Sequence, residues 1–302
     1  MANMMKRNIL LLMLCMAVSA AAQHYVGFSA SGAAAWQLDK LDFTNMRTGG
    51  GGAIGAVYEF QHNYFILQTG IEAAAGLTSQ GIADRTLTSS TLTDEYGEDF
   101  YYQGYVTNRI DRATSVEVQV PLLAGFEMRY FYVLAGVRFA ANVYGVGTST
   151  AMYAVERKYL SSFQFEYVPL PPVPEERRGS YPMTFRPDLR LGGELGTVFM
   201  VGGGRNYNDK PTKIRLGLYA EYGVLNVLNA SEDMSMTSAT VEQFENRHVT
   251  MVHAHLAKES LPSPLHNLRA GIKLTVLFPL TEDQNRKNQR SGARRWCTCS
   301  GD

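Results

Sequence analysis

Hydrophobic and polar residues alternate with a period of two along eight stretches of the chain. They lie near Tyr25–Ala35, Gly51–Phe60, Tyr64–Gly76, Ser115–Glu127, Tyr130–Val143, Asp188–Val201, Lys213–Tyr222 and Leu268–Phe278. A period of two belongs to a strand with two unlike faces. The clearest stretch is SVEVQVPLLAGFEM, where Val116, Val118, Val120, Leu122, Ala124 and Phe126 share one face and Ser115, Glu117, Gln119, Gly125 and Glu127 the other. The seventh stretch sets Ile214, Leu216, Leu218 and Ala220 against Lys213, Arg215, Gly217 and Glu221. The eighth sets Leu268, Ala270, Ile272, Leu274, Val276 and Phe278 against Arg269, Gly271, Lys273 and Thr275. Each stretch runs about 10–14 residues; soluble strands usually run about 5–6, and a tilted strand needs about 9–11 to cross a bilayer. The pattern predicts an all-β fold: an eight-stranded antiparallel transmembrane β-barrel.

The connections alternate in length. Gln61–Asn63, Met128–Arg129 and a Gly- and Asn-rich stretch after Val201 make the short ones. The other four run about 15, 38, 44 and 45 residues, well beyond ordinary loops. Short periplasmic turns with long extracellular loops are the rhythm of outer-membrane barrels, and an even strand number leaves both termini in the periplasm.

Alternation does not say which face is inside; the polar face does. It is rich in glycine (Gly27, Gly55, Gly70, Gly125, Gly136, Gly192, Gly196, Gly217 and Gly271), which suits a narrow lumen. Its charges have both signs. Glu72, Glu117, Glu194 and Glu221 can meet Arg138, Arg190, Arg215, Arg269 and Lys273, and buried charges need partners. An eight-stranded barrel has little room beyond its own side chains, so the expected lumen is plugged by an ion-pair network. Aromatics gather at the expected periplasmic strand ends as a girdle: Phe60, Phe65, Phe126, Phe131, Phe199 and Phe278, with Tyr58, Tyr64 and Tyr130.

The stretch VEVQVPLLAGFEMRYFYVLAGVRFAANVYG resembles the central hairpin of the PorT-like outer-membrane β-barrel family of Bacteroidetes, through Val120-Pro121-Leu122-Leu123 and Leu134-Ala135-Gly136. DLRLGGELGTVF is similar to that family's Gly-rich sixth strand, and the final LTVLF to its terminal assembly signal. The resemblance implies an outer-membrane barrel without known catalytic residues, some members of which serve type IX secretion. The long loops and the stretch after the last strand depart from the family's pattern.

The ends agree with export. Lys6 and Arg7 precede an apolar run, Ile9–Val18, too short to span a bilayer as a helix, and Ala20-Ala21-Ala22 offers a cleavage site. Residues 1–22 are expected to be a signal peptide, 23–279 the barrel and 280–302 a disordered, basic periplasmic tail. Leu14 before Cys15 argues against a lipoprotein. Charge balances at 28 basic against 28 acidic residues, which gives no electrostatic case for nucleic acid. Cys297 and Cys299 alone survive cleavage, so no disulfide framework is expected.

Other chemistry is sparse. His253 and His255, with His248 and His266 nearby, form a His-x-His pair without a fixed third metal ligand, so a solvated loop is expected there. Asp94, Glu95, Glu98 and Asp99 lack the spacing of a calcium loop. Pro169, Pro171, Pro172 and Pro174 favour a stiff polyproline segment. The tail's Arg286, Lys287, Arg290, Arg294, Arg295 and Trp296 suit acidic partners or lipid heads. No histidine lies within an expected strand; His24 and His62 sit at strand edges, which makes a catalytic triad hard to build. The expectation is a non-enzyme without metal or cofactor. It would lie in the outer membrane against lipid, including lipopolysaccharide, as an accessory subunit of a protein assembly. The alternative is a stand-alone surface barrel that binds a host, glycan or envelope ligand.

Overall fold

The computed structural model describes residues 23–39, 41–160, 173–202, 211–228, 233–260 and 263–280. The expected signal peptide, most of the polyproline run and the C-terminal tail with its cysteines lie outside the described residues. Eight long strands form a ring: β1 (Gln23–Leu38), β2 (Thr44–His62), β3 (Phe65–Ile82), β4 (Asp99–Glu127), β5 (Phe131–Tyr159), β6 (Asp188–Val201), β7 (Thr212–Gly223) and β8 (His266–Pro279). Each pairs antiparallel with its neighbours in sequence, and β1 closes on β8 from Tyr25↔Pro279 to Leu38↔His266. The fold is an eight-stranded antiparallel β-barrel. Closure leaves no open edge around the ring, which is what a sheet in lipid requires.

Pro121 sits inside β4 and has no N–H to give. The β3–β4 ladder accordingly runs to Thr69↔Leu122 and resumes at Glu72↔Gln119. The tight β2–β3 turn places Asn63 at φ 54°, in the left-handed region that asparagine tolerates better than most residues.

Outward positions of the ring are apolar and exposed, among them Phe28, Ile54, Ile71, Val118, Leu122, Val133, Leu195, Leu218 and Ile272. In water such a belt would be far larger than soluble monomers tolerate; in lipid it is the favoured surface. The exposed Phe65, Phe126, Phe131, Phe199 and Phe278 ring its lower rim, with Phe60 partly covered. Trp36, Tyr144 and Tyr222 mark the upper rim, which the sequence reading did not identify. From Val26 to Trp36 at about 3.3 Å per residue and a tilt near 40°, the belt is about 25 Å tall, the height of a membrane barrel's apolar band. Among the described residues no helix is long and apolar enough to cross a membrane.

The outer connections differ from the sequence expectation. Strands β4 and β5 run 29 residues each and rise well past the belt. Short strands Arg85–Thr88 and Leu92–Thr93 pair with β4, and Glu175–Pro182 pairs with β5. The first connection shrinks to 39–43. Three expected loops are thus mostly sheet, because each extended strand finds a ladder partner for its backbone. Asp94 opens a turn in this sheet and accepts the amides of Tyr96 and Glu98 at 2.9 Å. His24 and His62 also lie within strands, and His266 opens β8, contrary to the expectation that strands hold no histidine.

Candidate functional site: a sealed lumen beneath a capped mouth

Inward positions of the strands meet across a narrow lumen. At its lower end, Arg215 of β7 bridges Glu59 of β2 and Glu127 of β4, with Nε 2.9 Å from Glu127 and Nη2 2.9 Å from Glu59. Lys213 joins the same carboxylates at 2.6 and 3.3 Å. In the middle, Glu72 accepts from Arg138 at 2.6 Å, from Lys273 at 2.7 Å and from Ser29 at 3.1 Å. Glu194 accepts the Tyr132 hydroxyl at 2.6 Å and lies 3.6 Å from Lys273. Nearer the mouth, Arg190 holds Glu117 at 2.6 Å, Asp188 at 2.9 Å and Glu221 at 3.3 Å. Arg269 pairs with Glu117, and Arg138 reaches Glu221 at 3.4 Å.

The structure therefore places Glu72, Glu117, Arg138, Arg190, Glu194, Glu221, Arg269 and Lys273 in one network of linked ion pairs, and Arg215 in a second one below it, joined to the first through Tyr132, over whose ring its guanidinium lies at 5.0 Å. The sequence reading left Glu59, Glu127, Lys213 and Asp188 out of these networks. Their signal was their phase: each occupies an inward position of its own strand. Gly217 makes room for one crossing group, since a Cβ there would stand 2.2 Å from the Tyr132 hydroxyl. Beside the lowest charges, Ile66, Leu123, Tyr132, Leu134 and Val198 form a buried apolar cluster. Charges this enclosed persist only with partners.

The described parts of the fourth connection, 224–228, 233–260 and 263–265, fold over the mouth. Arg109 of β4 is fully buried and ties it down. It donates to Met236 O at 2.9 Å, Thr237 Oγ1 at 2.8 Å and Val252 O at 2.5 Å, and it pairs with Asp111 at 2.9 Å. Asp111 in turn accepts the Ala254 amide at 2.7 Å. A one-turn helix, Val241–Glu245, is capped by Thr240 with Gln243 reciprocating, the capping-box arrangement. It drives Phe244 onto Tyr102, ring on ring at 6.0 Å. Met236, Ala254 and Ala257 pack on Ile82, while Val249 and Met251 pack on Val106, Ala151 and Tyr153.

His253 and His255 are buried in this cap, not solvated, because the cap needs apolar bulk against β1, β4 and β5. Their rings are 5.1 Å apart, and His255 Nε2 lies 3.7 Å from Asp39 Oδ2. Burial drives the His253 imidazole down to about 3, with Asp111 opposing and His255 and Arg109 adding to the shift. His248 is exposed, and His266 Nδ1 lies 3.0 Å from Gly223 O. Among the described residues no group of three or more His, Cys, Asp or Glu side chains is placed to hold a metal ion.

No protein-family model matches the chain, and no curated protein matches it. Solved structures are similar to it, two of them as follows. One is Ail, the attachment invasion locus protein of Yersinia pestis, in complex with the heparin analogue sucrose octasulfate: 12% identity over 84% of this chain and 98% of that one, TM-score 0.25. The other is Neisserial surface protein A: 11% identity over 85% of this chain and 99% of that one, TM-score 0.24.

Proposed function

We propose that this chain is a non-catalytic barrel of the bacterial outer membrane that works through its outer surface and conducts nothing. The observation that carries the reading is the pairing of a lumen blocked by linked charges with an ordered extension standing above the belt. The extension is sheet backed by a packed cap, so little freedom is lost when a partner docks on it. Its outward face offers Tyr101, Gln103 and Tyr105 beside Glu156 and Lys158; the Tyr105 hydroxyl donates to Glu156 at 3.1 Å. Amphipathic tyrosines with charged neighbours suit a polar macromolecule such as a host or envelope glycan. The test is binding of the full mature barrel, in nanodiscs, to a glycan array. Binding that falls at least about tenfold, 1.4 kcal/mol, in Tyr101→Ala/Tyr105→Ala supports the reading; unchanged binding moves the site elsewhere. A stable ion-selective conductance in planar bilayers would contradict the sealed lumen.

A second reading rests on the β4–β5 hairpin, whose VPLLAGFEMRYFYVLAG segment resembles the PorT-like barrels. In that reading the chain is an accessory subunit of a secretion or envelope-biogenesis assembly. A tagged pull-down from native outer membranes separates the two: stoichiometric partners favour the subunit, and recovery of the barrel alone favours the surface binder.

A further inference from the structure

Just above the apolar belt, one register row carries two unpaired arginines. Arg47 of β2 faces Ser79 of β3, Ser79 faces Arg112 of β4, and Arg112 faces Thr148 of β5. All four point outward, because the next residues along, Gln80, Asp111 and Ser149, are buried on the inner face. Arg47 and Arg112 are exposed and form no ion pair among the described residues, although nearly every lumenal charge does. Arg47 is also held in place. Its side chain lies across β3 over the buried Gly81, where a Cβ would stand 3.3 Å from its Nε and 3.6 Å from Asn45 Cβ.

Two residues below the row, Leu77 faces Thr114; two further below Thr114, Val116 faces Tyr144, and Leu77, Val116 and Tyr144 are exposed to lipid. At about 3.3 Å per residue and barrel tilt, the row stands roughly 5 Å above Leu77, at headgroup depth. The two arginine Cα atoms are two strand spacings apart, about 9.6 Å. Side chains of that reach converge on one group between them, and a guanidinium fork matches a phosphate's oxygens.

From this we infer that Arg47 and Arg112 clamp a phosphorylated headgroup of an outer-leaflet lipid, with Ser79 and Thr148 donating hydroxyls to the same group. Lipid is the source because the row is continuous with the lipid-facing belt, two residues above the exposed Leu77. The inference concerns the rim of the barrel and does not depend on what the extension binds.

The test is native mass spectrometry of the full mature protein released from phosphatidylcholine nanodiscs doped with either diphosphoryl or dephosphorylated lipid A. The wild type should retain the diphosphoryl form about fivefold more often, Arg47→Ala/Arg112→Ala should lose that preference, and Arg47→Lys/Arg112→Lys should keep part of it. All variants should still shift on a denaturing gel before and after boiling, the sign of a folded barrel; the lysine pair keeps the test open if the alanine pair does not fold. Absence of a preference in the wild type, or an unchanged preference in the alanine variant, overturns the clamp. Displacement of the adduct by millimolar inorganic phosphate overturns the lipid assignment.

Discussion

Strand β4 passes through two environments, and its faces exchange character between them. Below Arg112 the outward residues are Val116, Val118, Val120 and Leu122, while Glu117 and Gln119 point inward. Above Asn108 the inward residues are Phe100, Tyr102 and Val106, while Tyr101, Gln103 and Thr107 point outward. The register slips between Thr107 and Ile110, and Asn108 takes φ 53°, so the residue parity of the inner face changes there as well. What lies outside sets the pattern: lipid favours apolar side chains, water does not. What lies inside answers it. The narrow lumen is filled by charges that cross-link strands, whereas the wider extension is filled by an apolar cap. Each interior holds a fully buried arginine, Arg215 at the lower end of the lumen and Arg109 beneath the cap. Arg215 is satisfied by carboxylates of two other strands, and Arg109 largely by carbonyls of a connecting segment.

The difference should show most strongly at Arg215. Arg215→Ala leaves Glu59 and Glu127 buried with Lys213 alone, and stranding a buried charge costs about 3–5 kcal/mol. The urea midpoint of the barrel folded in lipid vesicles should fall accordingly, and unboiled protein should lose its gel shift first in this variant. A midpoint within error of wild type would mean that water enters the lumen and solvates those carboxylates.

Arg109→Ala should cost less to the barrel and more to the cap. It removes three hydrogen bonds to 233–260 and leaves Asp111 with the Ala254 amide alone, a loss of roughly 2–4 kcal/mol. Limited proteolysis should then cut within the cap while the heat-sensitive gel shift persists. Simultaneous loss of both signals would show that the two interiors unfold as one unit.

The membrane half was legible in the sequence because one rule, apolar out and polar in, holds over eight stretches such as SVEVQVPLLAGFEM. The extension was not. In FYYQGYV both faces carry aromatics, the apolar phase has inverted, and Asn108 has shifted the count, so the same segment reads as a loop. Its partners Arg85–Thr88 and Glu175–Pro182 are polar edge strands with no alternation of their own. Within the lumen, Glu72, Arg190 and Lys273 stood out as charges on a glycine-rich face; Glu59 and Asp188 lie near strand ends, where a turn residue and a lumenal one look alike. The cap was the least legible part. His253 and His255 are polar letters in an irregular segment, and only the surface they pack on buries them.

Acid should act on the cap and spare the barrel. The His253 imidazole has a folded value near 3 against 6.5 when free, because burial excludes its charged form. Between those values the open cap binds a proton that the closed cap lacks. Closure is therefore fully favoured above about pH 6.5 and weakens as pH falls, by about 2 kcal/mol at pH 5. The protection factors of amides across 233–260, corrected for the intrinsic pH dependence of exchange, should fall between pH 7 and pH 5 while those of β7 do not. His253→Asn, which can still accept the His255 amide but does not titrate, should flatten the profile. An unchanged slope in that variant would assign the acid response to another group.

The smallest effect belongs to a charge that both interiors leave outside. Arg178 lies on the edge strand Glu175–Pro182, is 72% exposed and stands 4.0 Å from Glu176 on the same strand. Such a pair gains little Coulomb energy in water and loses it to salt, typically less than about 1 kcal/mol. Arg178→Ala should leave the urea midpoint, the protease pattern of the cap and the lipid preference of the Arg47–Arg112 row unchanged. Arg178 is also the arginine nearest that row on the β5 side, since it faces Thr150, which lies two residues along β5 from Thr148. A loss of lipid preference in Arg178→Ala would therefore widen the headgroup contact to the edge strand, and a drop in midpoint would mean that this edge, despite its exposure, helps hold the extension together.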